Sequence, residues 1–308
     1  MSLYEMFTSK GPSGFGYGTT AEQVTDGLNL DGKTYLVTGC NSGLGQEALR
    51  VLTLRGARVV GTARTVQKAK EACDAVKGKT VPLACELSDP ASVRACVAAV
   101  KEQGIKLDGI ICNAGIMALP KLEKAFGYEL QFFTNHIGHF ILVTGLLEQL
   151  TDTGRVVMLS SAAHLRAPQG GIQFDNLDGA KEYTQWASYG QSKIANLLFA
   201  KELARRLEGT KKTANAVHPG VIQTNLGRHM NPVMRFFFGL FGPLALKSVP
   251  QGAATEVFVA THPSVASTTG QYFADCNVAR PRADAEDAAL AKKLWEVTEK
   301  IVAALPAK

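Results

Sequence analysis

The chain has 308 residues, of which 46% are hydrophobic and 19% are charged, a composition typical of a globular protein rather than a disordered or fibrous one. Its net charge of +6 is modest and its basic residues are scattered, so a nucleic-acid-binding function is not indicated. Six cysteines without C-x-x-C or Cys/His spacing argue against a structural metal and favour free thiols in a reducing compartment, for which we expect the cytoplasm.

The first 30 residues are predicted to be an extension that lies on the surface of the fold. They contain Glu5, Lys10 and several glycines but no apolar core segment, so they match neither a secretory signal nor a membrane span. The regular pattern of the chain begins after them.

From residue 33 onward, short β-rich runs alternate with longer helical patterns. The predicted strands are largely apolar, as parallel strands covered on both faces tend to be, and span 33–39, 57–63, 79–85, 107–115, 154–161 and 212–220. Predicted helices lie between them at 44–55, 66–76, 90–103, 123–150 and 186–208. This alternation predicts an α/β fold with a Rossmann-type doubly wound parallel sheet and helices on both faces. No repeat or linker divides the chain, so residues 1–308 are predicted to form a single dinucleotide-binding and catalytic domain.

The first predicted strand runs into a glycine-rich turn and then directly into a helix, as TYLVTGCNSGLGQEALRVLTLRG. Glycines at a strand-to-helix turn allow tight backbone angles and close approach of a pyrophosphate, while the helix N-terminus supplies free N–H groups and positive potential. The turn is therefore predicted to bind a dinucleotide, the alternative being an ordinary turn rich in Gly, Asn and Ser. The predicted contacts are Gly39, Asn41, Ser42, Gly43, Leu44 and Gly45.

The end of the second predicted strand indicates which dinucleotide is preferred. An acidic residue at this point accepts the ribose 2′-OH of NAD and repels a phosphate. This chain has Ala63 and Arg64 instead, and arginine can bind a 2′-phosphate through its fork of donors. We therefore predict NADP(H) over NAD(H); the alternative is an exposed arginine that starts a helix in which Lys68 and Lys70 follow.

The stretch YGQSK places Tyr189 and Lys193 four residues apart, one turn of a helix, so that their side chains can share a face. A cation held against a tyrosine favours the phenolate and brings the tyrosine pKa closer to neutral. The spacing is compatible with a proton-transfer pair, but also with a lysine that merely lies beside a half-buried tyrosine on a helix surface.

Six motifs follow one another along the chain: TGCNSGLG, CNAG at 112–115, TNHIGHF at 134–140, RVVMLSSAAH at 155–164, YGQSKIANLLFAKELARRL at 189–207 and HPGVIQTNL at 218–226. In these motifs and their order the sequence resembles the short-chain dehydrogenase/reductase family from about residue 30 to about residue 300. Within that family it is most similar to the retinol-dehydrogenase-like group, through FDNL before the active-site helix and GQYFADC near the C-terminus.

The resemblance assigns catalytic roles to four residues. It implies that Tyr189 protonates the carbonyl oxygen as hydride arrives, and that Lys193 lowers the pKa of Tyr189 and binds the nicotinamide ribose. Asn135 matches the asparagine that anchors a water relaying protons to the lysine. Ser161 matches the serine that holds the substrate oxygen, while Ser160 competes for that role and is expected closer to the sheet.

Two histidines accompany this asparagine in TNHIGHF. No carboxylate in the motif stands beside His136 or His139, so we expect both to be packing residues or backbone partners rather than acids.

The resemblance also extends the cofactor site. Family members often have Asp-Leu after the third strand where this chain has Glu86 and Leu87, and the longer carboxylate changes the fit near adenine. A backbone contact is expected to survive there. The further implied contacts are Asn113, Ala114, Gly115, Tyr189, Lys193, Pro219, Gly220, Val221 and Thr224.

Residues 225–250 form a Phe/Met/Leu-rich segment where the family builds its variable lid. A dense apolar lid predicts a hydrophobic carbonyl or alcohol substrate, and residues 228–246 are expected to be mobile without ligand and to become ordered over the bound substrate. The alternatives are core or dimer packing and shallow membrane contact, since the apolar run at 236–246 is too short to span a bilayer.

Two functions follow from these residues. The first is an NADPH-dependent carbonyl reductase or alcohol dehydrogenase acting on a lipophilic substrate. The second is a dinucleotide-sensing or scaffolding module that uses the fold without turnover. Retention of Asn135, Ser161, Tyr189 and Lys193 together favours the enzyme, because a sensor needs the phosphate loop but no proton donor.

Overall fold

The computed structural model describes residues 9–222 and 246–306. Its helices are α1 Ala21–Val24, α2 Gly43–Leu54, α3 Val66–Asp74, α4 Pro90–Glu102, α5 Leu130–Phe132, α6 Gly138–Leu146, α7 Gln185–Arg206, α8 Val249–Thr261 and α9 Ala288–Ala304. Its strands are β1 Thr34–Thr38, β2 Arg58–Ala63, β3 Lys79–Ala84, β4 Leu107–Cys112, β5 Lys124–Ala125, β6 Tyr128–Glu129, β7 Leu150–Leu159, β8 Thr213–His218, β9 Tyr272–Ala274 and β10 Asn277–Val278. A π-helical turn at Phe133–Ile137 joins α5 to α6.

Eight strands form one sheet in the order β10-β9-β8-β7-β4-β1-β2-β3, and all neighbours are parallel except the edge pair β9 and β10. In the register of the centre, Leu36 of β1 pairs with Val60 of β2 and with Ile110 of β4. The predicted doubly wound parallel sheet is thereby confirmed. The strand order reverses direction between β1 and β4, and ligands of open α/β sheets bind in the crevice at the carboxyl ends of such strands.

Two apolar layers cover the sheet because successive residues of a strand point to opposite faces. Leu36 belongs to the layer that also contains Phe140 of α6, whereas Val37 belongs to the layer that also contains Phe258 of α8. Both strand residues are fully buried. The central strands therefore read as continuous apolar runs rather than as alternating ones.

The predicted helix at 123–150 is wrong at its start. Its first part is a β-hairpin, β5 and β6, whose two-residue turn puts Phe126 at φ +50° and Gly127 at φ +86°. The helix begins only at Leu130, where the carboxylate of Glu129 accepts from the Phe132 N–H at 2.7 Å. At the other end, a 3-10 turn continues α6 from Leu147 to Gln149, so the predicted end at 150 is correct to within one residue.

The N-terminal extension is tied to the C-terminal part of the chain. The Ser13 N–H donates to Asn277 Oδ1 at 3.0 Å, and the Phe15 ring meets the ring of Phe258 edge-on at 5.5 Å. All six cysteines are buried free thiols, as predicted. In the two described stretches, no helix combines the length and the apolar character needed to cross a membrane.

Candidate active site

A glycine-rich loop joins β1 to α2 at the carboxyl edge of the sheet. Gly43, the first residue of α2, has φ +58°, and nothing lies within 4 Å of where its Cβ would be. Ser42 is the N-cap but makes no side-chain cap hydrogen bond, and Asn41 beside it is exposed. The first N–H groups of a helix lack intrahelical partners, so an uncapped helix start next to open space suits an anion. Behind the loop, Leu44 is buried against α8.

The carboxyl end of β4 is tied to this loop by two hydrogen bonds. Asn113 Nδ2 donates to Thr38 O at 2.8 Å, and the Ala114 N–H donates to Thr38 Oγ1 at 3.0 Å. Gly45 leaves the room for this arrangement, because a Cβ there would lie 2.4 Å from Asn113 Nδ2 and 2.5 Å from Gly39 O. The structure thus brings together the loop residues and the β4 residues that the sequence assigned to the cofactor.

Asn135 lies in the π-helical turn, fully buried, with its side-chain amide held at both ends. Its Oδ1 accepts from the Ile116 N–H at 2.9 Å, and its Nδ2 donates to Ile116 O and to Ser192 Oγ, each at 2.9 Å. A Cβ on Gly115 would lie 2.9 Å from Asn135 Oδ1 and 3.5 Å from Lys193 Nζ. Asn135 and Lys193 therefore flank the same glycine.

The two serines after β7 point in different directions. The buried Ser160 Oγ donates to the main-chain carbonyl of Lys193 at 2.8 Å. Ser161 Oγ accepts from the Ala163 N–H at 3.1 Å, and its hydrogen bond to Tyr189 lowers the pKa of that tyrosine. It is therefore Ser161 that lies beside the tyrosine hydroxyl, while Ser160 fixes α7 to the sheet.

Tyr189 and Lys193 lie one turn apart in α7 and are almost fully buried, with exposed fractions of 7% and 4%. The Lys193 Nζ lies 5.6 Å from the centre of the Tyr189 ring and donates to Leu159 O at 3.1 Å. Burial raises the pKa of Tyr189 to about 12, against the smaller opposing effect of Ser161, and burial lowers the pKa of Lys193 to about 8. The sequence had suggested that the lysine lowers the tyrosine pKa. In the structure burial dominates, so Tyr189 keeps its proton at neutral pH.

Arg64 follows β2 directly and its side chain is 70% exposed. Its only ion pair in the described part of the chain is a long one, Nε to Glu86 Oε2 at 4.0 Å, a geometry that contributes little when exposed. Glu86 turns towards its own loop, where Oε1 accepts from the N–H and the hydroxyl of Ser88 at 3.1 and 2.9 Å. Leu87 is buried in the core. The guanidinium is thus accessible to a ligand at the carboxyl end of β2.

The segment after β8 is described as far as residue 222. Pro219 and Gly220 lead to Val221, which is exposed and whose carbonyl accepts from the Lys247 N–H at 2.9 Å. Thr224 and residues 225–245 of the predicted lid lie outside the described residues.

Trp186 and Arg166 lie beside the site and were not predicted. The Trp186 ring meets the Tyr189 ring edge-on with centroids 6.3 Å apart, and the Arg166 guanidinium lies 5.0 Å above the centre of Trp186. Trp186 precedes Tyr189 by three residues, so the helical spacing that pointed to Lys193 could also have pointed to this tryptophan.

Neither histidine of TNHIGHF is an acid at neutral pH. Burial lowers the pKa of His136 to about 3 and that of His139 to about 4. His136 Nε2 hydrogen-bonds Thr298 Oγ1 at 3.0 Å among aromatic rings, and His139 bonds to the main chain of Asn135. As the sequence suggested, His136 is a packing residue and His139 is a backbone partner.

Comparison with known proteins gives one consistent result. The family model described as short chain dehydrogenase matches residues 33–234. "Short-chain dehydrogenase TIC 32 A, chloroplastic" of Brassica napus is 40% identical over 327 residues, which cover 99% of this chain and 100% of the relative. Retinol dehydrogenase 14 of Homo sapiens is 36% identical over 298 residues, which cover 90% of this chain and 88% of the relative.

Solved structures have the same fold. A crystal structure of a protein from Mycobacterium paratuberculosis matches with a TM-score of 0.74 at 30% identity, covering 91% of this chain and 97% of the other. A short-chain dehydrogenase from Burkholderia cenocepacia, solved in complex with NADP, matches with a TM-score of 0.65 at 24% identity, covering 80% and 97%.

Proposed function

The chain belongs to the short-chain dehydrogenase/reductase family of NAD(P)-dependent oxidoreductases, as its motifs predicted, and on that premise we propose which reaction it catalyses. The reaction is hydride transfer between NADP(H) and the carbonyl or alcohol of a hydrophobic small molecule. The observation that carries the proposal is that Ser161, Tyr189 and Lys193 meet at the carboxyl edge of the sheet, beside the glycine-rich loop.

The residues present fit a dinucleotide. The uncapped start of α2 and the open space at Gly43 suit its phosphates, and the exposed Arg64 stands at the adenosine end. Lys193 has Leu159 O as its hydrogen-bond acceptor within the described stretches, while an ammonium carries three donors, so it can also hold a ribose hydroxyl. When bound, the nicotinamide supplies or takes up the hydride.

Tyr189 is the proposed proton donor to the substrate oxygen. Because burial raises the pKa of Tyr189 to about 12, its hydroxyl is protonated at neutral pH and can donate as negative charge develops on that oxygen. Ser161 places a second hydroxyl at the same point, where it can bind the same oxygen. Lys193 contributes positive charge behind the tyrosine ring, which favours the phenolate left after proton transfer.

The preference for NADP(H) rests on Arg64. A guanidinium binds a 2′-phosphate through charge-assisted hydrogen bonds, and the weak pairing of Arg64 with Glu86 leaves it free to do so. One carboxylate oxygen of Glu86, Oε1, accepts from the N–H and the hydroxyl of Ser88, which turns this side chain towards its own loop.

The hydrophobic substrate is supported by two observations. The Trp186 ring lies between Tyr189 and the Arg166 guanidinium, and Leu165, which precedes Arg166 in the chain, is exposed. A relative that matches most of the chain is named a retinol dehydrogenase, and retinol is an apolar alcohol. Both favour a long or aromatic apolar molecule with its oxygen at Tyr189.

The test is a substrate panel read by NADPH oxidation. Purified protein is assayed with retinal, straight-chain aldehydes of increasing length, aromatic ketones and quinones, with Tyr189→Phe as the inactive control. We expect turnover that increases with the apolar surface of the carbonyl compound and that is abolished in the control.

The opposite result would be binding of NADPH, detected by its fluorescence, without oxidation of NADPH by any carbonyl compound and without reduction of NADP by the matching alcohols. That result would contradict the enzyme and favour a dinucleotide-sensing or scaffolding module.

A further inference from the structure

His139 connects the cofactor loop with the active-site turn through two hydrogen bonds. Its Nε2 lies 3.0 Å from Thr38 Oγ1 at the end of β1, and its Nδ1 lies 2.9 Å from the main-chain oxygen of Asn135. The side chain is fully buried. It therefore spans from the strand that carries the glycine-rich loop to the helical turn that carries Asn135.

The hydrogen-bond network assigns the tautomer of His139. A carbonyl oxygen can only accept, so Nδ1 carries the proton and donates to Asn135 O. Nε2 then accepts from the Thr38 hydroxyl, whose oxygen in turn accepts from the Ala114 N–H at 3.0 Å. Every polar group in this chain of contacts has a partner, and the low pKa of the buried His139, about 4, keeps the ring neutral.

The Asn135 carbonyl belongs to a π-helical turn, where the regular i→i−4 hydrogen-bond ladder of an α-helix is interrupted, and His139 supplies it with a side-chain donor. The asparagine side chain is already bonded to Ile116 and Ser192. A carbonyl oxygen has two lone pairs, so the contact from His139 fixes its position and leaves one lone pair for another donor.

We propose that His139 is a positioning residue, which holds the Asn135 main-chain carbonyl in place for the reaction through a neutral imidazole braced against Thr38. This assignment rests on the proposed function, because the carbonyl matters only if the site turns over. The described hydrogen bonds of His139 go to Thr38 and Asn135. It acts through Asn135, which flanks Lys193 across Gly115.

Three variants separate the two hydrogen bonds. In His139→Asn the amide nitrogen stands where Nδ1 stands, which preserves the donor to Asn135 O and loses the contact to Thr38. In His139→Gln the amide reaches the place of Nε2, which preserves the contact to Thr38 and loses the donor. His139→Leu loses both. The matched control is His136→Leu, a buried histidine one turn earlier that bonds to Thr298 instead.

The experiment measures kcat on the best carbonyl substrate of the panel, NADPH affinity and thermal stability of each variant. We expect His139→Leu and His139→Gln to lower kcat by more than about tenfold with NADPH affinity within about threefold of wild type. His139→Asn should recover kcat to within about threefold, and His136→Leu should lose stability without losing kcat. Equal losses of kcat in all three His139 variants, in proportion to their lost stability, would overturn the proposal.

A second measurement does not depend on turnover. Amide hydrogen exchange of the peptide that covers residues 130–142 should be slow in wild type and in His139→Asn, and fast in His139→Gln and His139→Leu. Identical exchange in all four proteins would overturn the role of His139. An inactive wild type with this exchange pattern would instead overturn only the proposed function.

Discussion

The ammonium of Lys193 lies over the ring of Tyr189, with Nζ 5.6 Å from the ring centre. Both residues belong to α7, and both side chains are buried. Burial raises the pKa of the tyrosine to about 12 and lowers that of the lysine to about 8, so it pushes both groups towards their neutral forms. The site thus holds a protonated phenol beside an amine that titrates near pH 8.

The first prediction concerns the pH dependence of reduction. Lys193 is charged below its pKa of about 8 and neutral above it, so we expect kcat/KM for carbonyl reduction to fall as the pH rises through about 8. Lys193→Arg keeps the charge at high pH and should move the fall upwards, whatever its absolute rate. A pH profile of both proteins measures this. A wild-type rate that stays level to about pH 9.5 would contradict the requirement for the ammonium.

The second prediction separates the two serines. Ser161→Ala removes the hydroxyl beside Tyr189, and we expect kcat to fall by about 10- to 100-fold with little change in stability. Ser160→Ala removes the donor to the buried Lys193 carbonyl and should lower the free energy of unfolding by about 1–3 kcal/mol. Steady-state kinetics and chemical denaturation of both variants are the measurements. A large loss of kcat in Ser160→Ala together with a loss of stability alone in Ser161→Ala would show that Ser160, not Ser161, is the serine of the active site.

The third prediction concerns cofactor choice. Arg64→Asp replaces the guanidinium with a carboxylate that repels a 2′-phosphate, so the preference for NADPH over NADH should be erased or reversed, a change of about ten- to hundredfold in the ratio of kcat/KM values. Lys68→Asp makes a similar change of charge at an exposed position of the next helix and serves as the control. Comparable kcat/KM for the two cofactors in the unmodified enzyme would show that Arg64 does not discriminate.

The fourth prediction concerns stability. Glu256 lies fully buried in α8, and neither of its carboxylate oxygens has a hydrogen-bond partner among the described residues. Burial raises the pKa of Glu256 from 4.5 to about 8, so the folded protein binds this proton more tightly than the unfolded chain does. Stability is therefore lost as the pH rises from about 4.5 to about 8, by up to about 1.4 kcal/mol per pH unit.

Glu256→Gln tests this, because the amide has nearly the same shape and does not titrate. Its free energy of unfolding should be close to that of wild type near pH 5 and higher than that of wild type near pH 8. Denaturation curves at both pH values measure the difference. Parallel pH dependence of the two proteins would mean that Glu256 does not carry this proton.

The sheet could be predicted because each central strand is an apolar run that ends in a turn and precedes an amphipathic helix. The hairpin at Phe126–Gly127 could not, because it places a phenylalanine at φ +50°, a conformation that bulky residues rarely adopt. The edge strands β9 and β10 have three and two residues, too few for any period to show. α8 and α9 were not predicted; α8 is buried along nearly all of its length, so its sequence shows no amphipathic pattern.

The candidate site was predicted from motif residues, and in the structure Ser161, Tyr189 and Lys193 lie close together, while their roles stay predictions. The sequence could not predict that the pKa of Tyr189 is raised, because the shift depends on how deeply the side chain is buried rather than on the spacing to Lys193. The sequence also could not predict that His139 links Asn135 to Thr38, because the hydrogen bond between His139 and Thr38 joins residues 101 positions apart.

The central claim is that Tyr189 donates the proton to the substrate oxygen, and Tyr189→Phe tests it most directly. The variant keeps the buried ring and removes only the hydroxyl. We expect NADPH oxidation with the best carbonyl substrate to fall by at least about a hundredfold, while NADPH affinity stays within about threefold of wild type. A variant that kept more than about a tenth of the wild-type rate would place less than about 1.4 kcal/mol of the barrier on this hydroxyl, and the assignment of Tyr189 as the acid would be wrong.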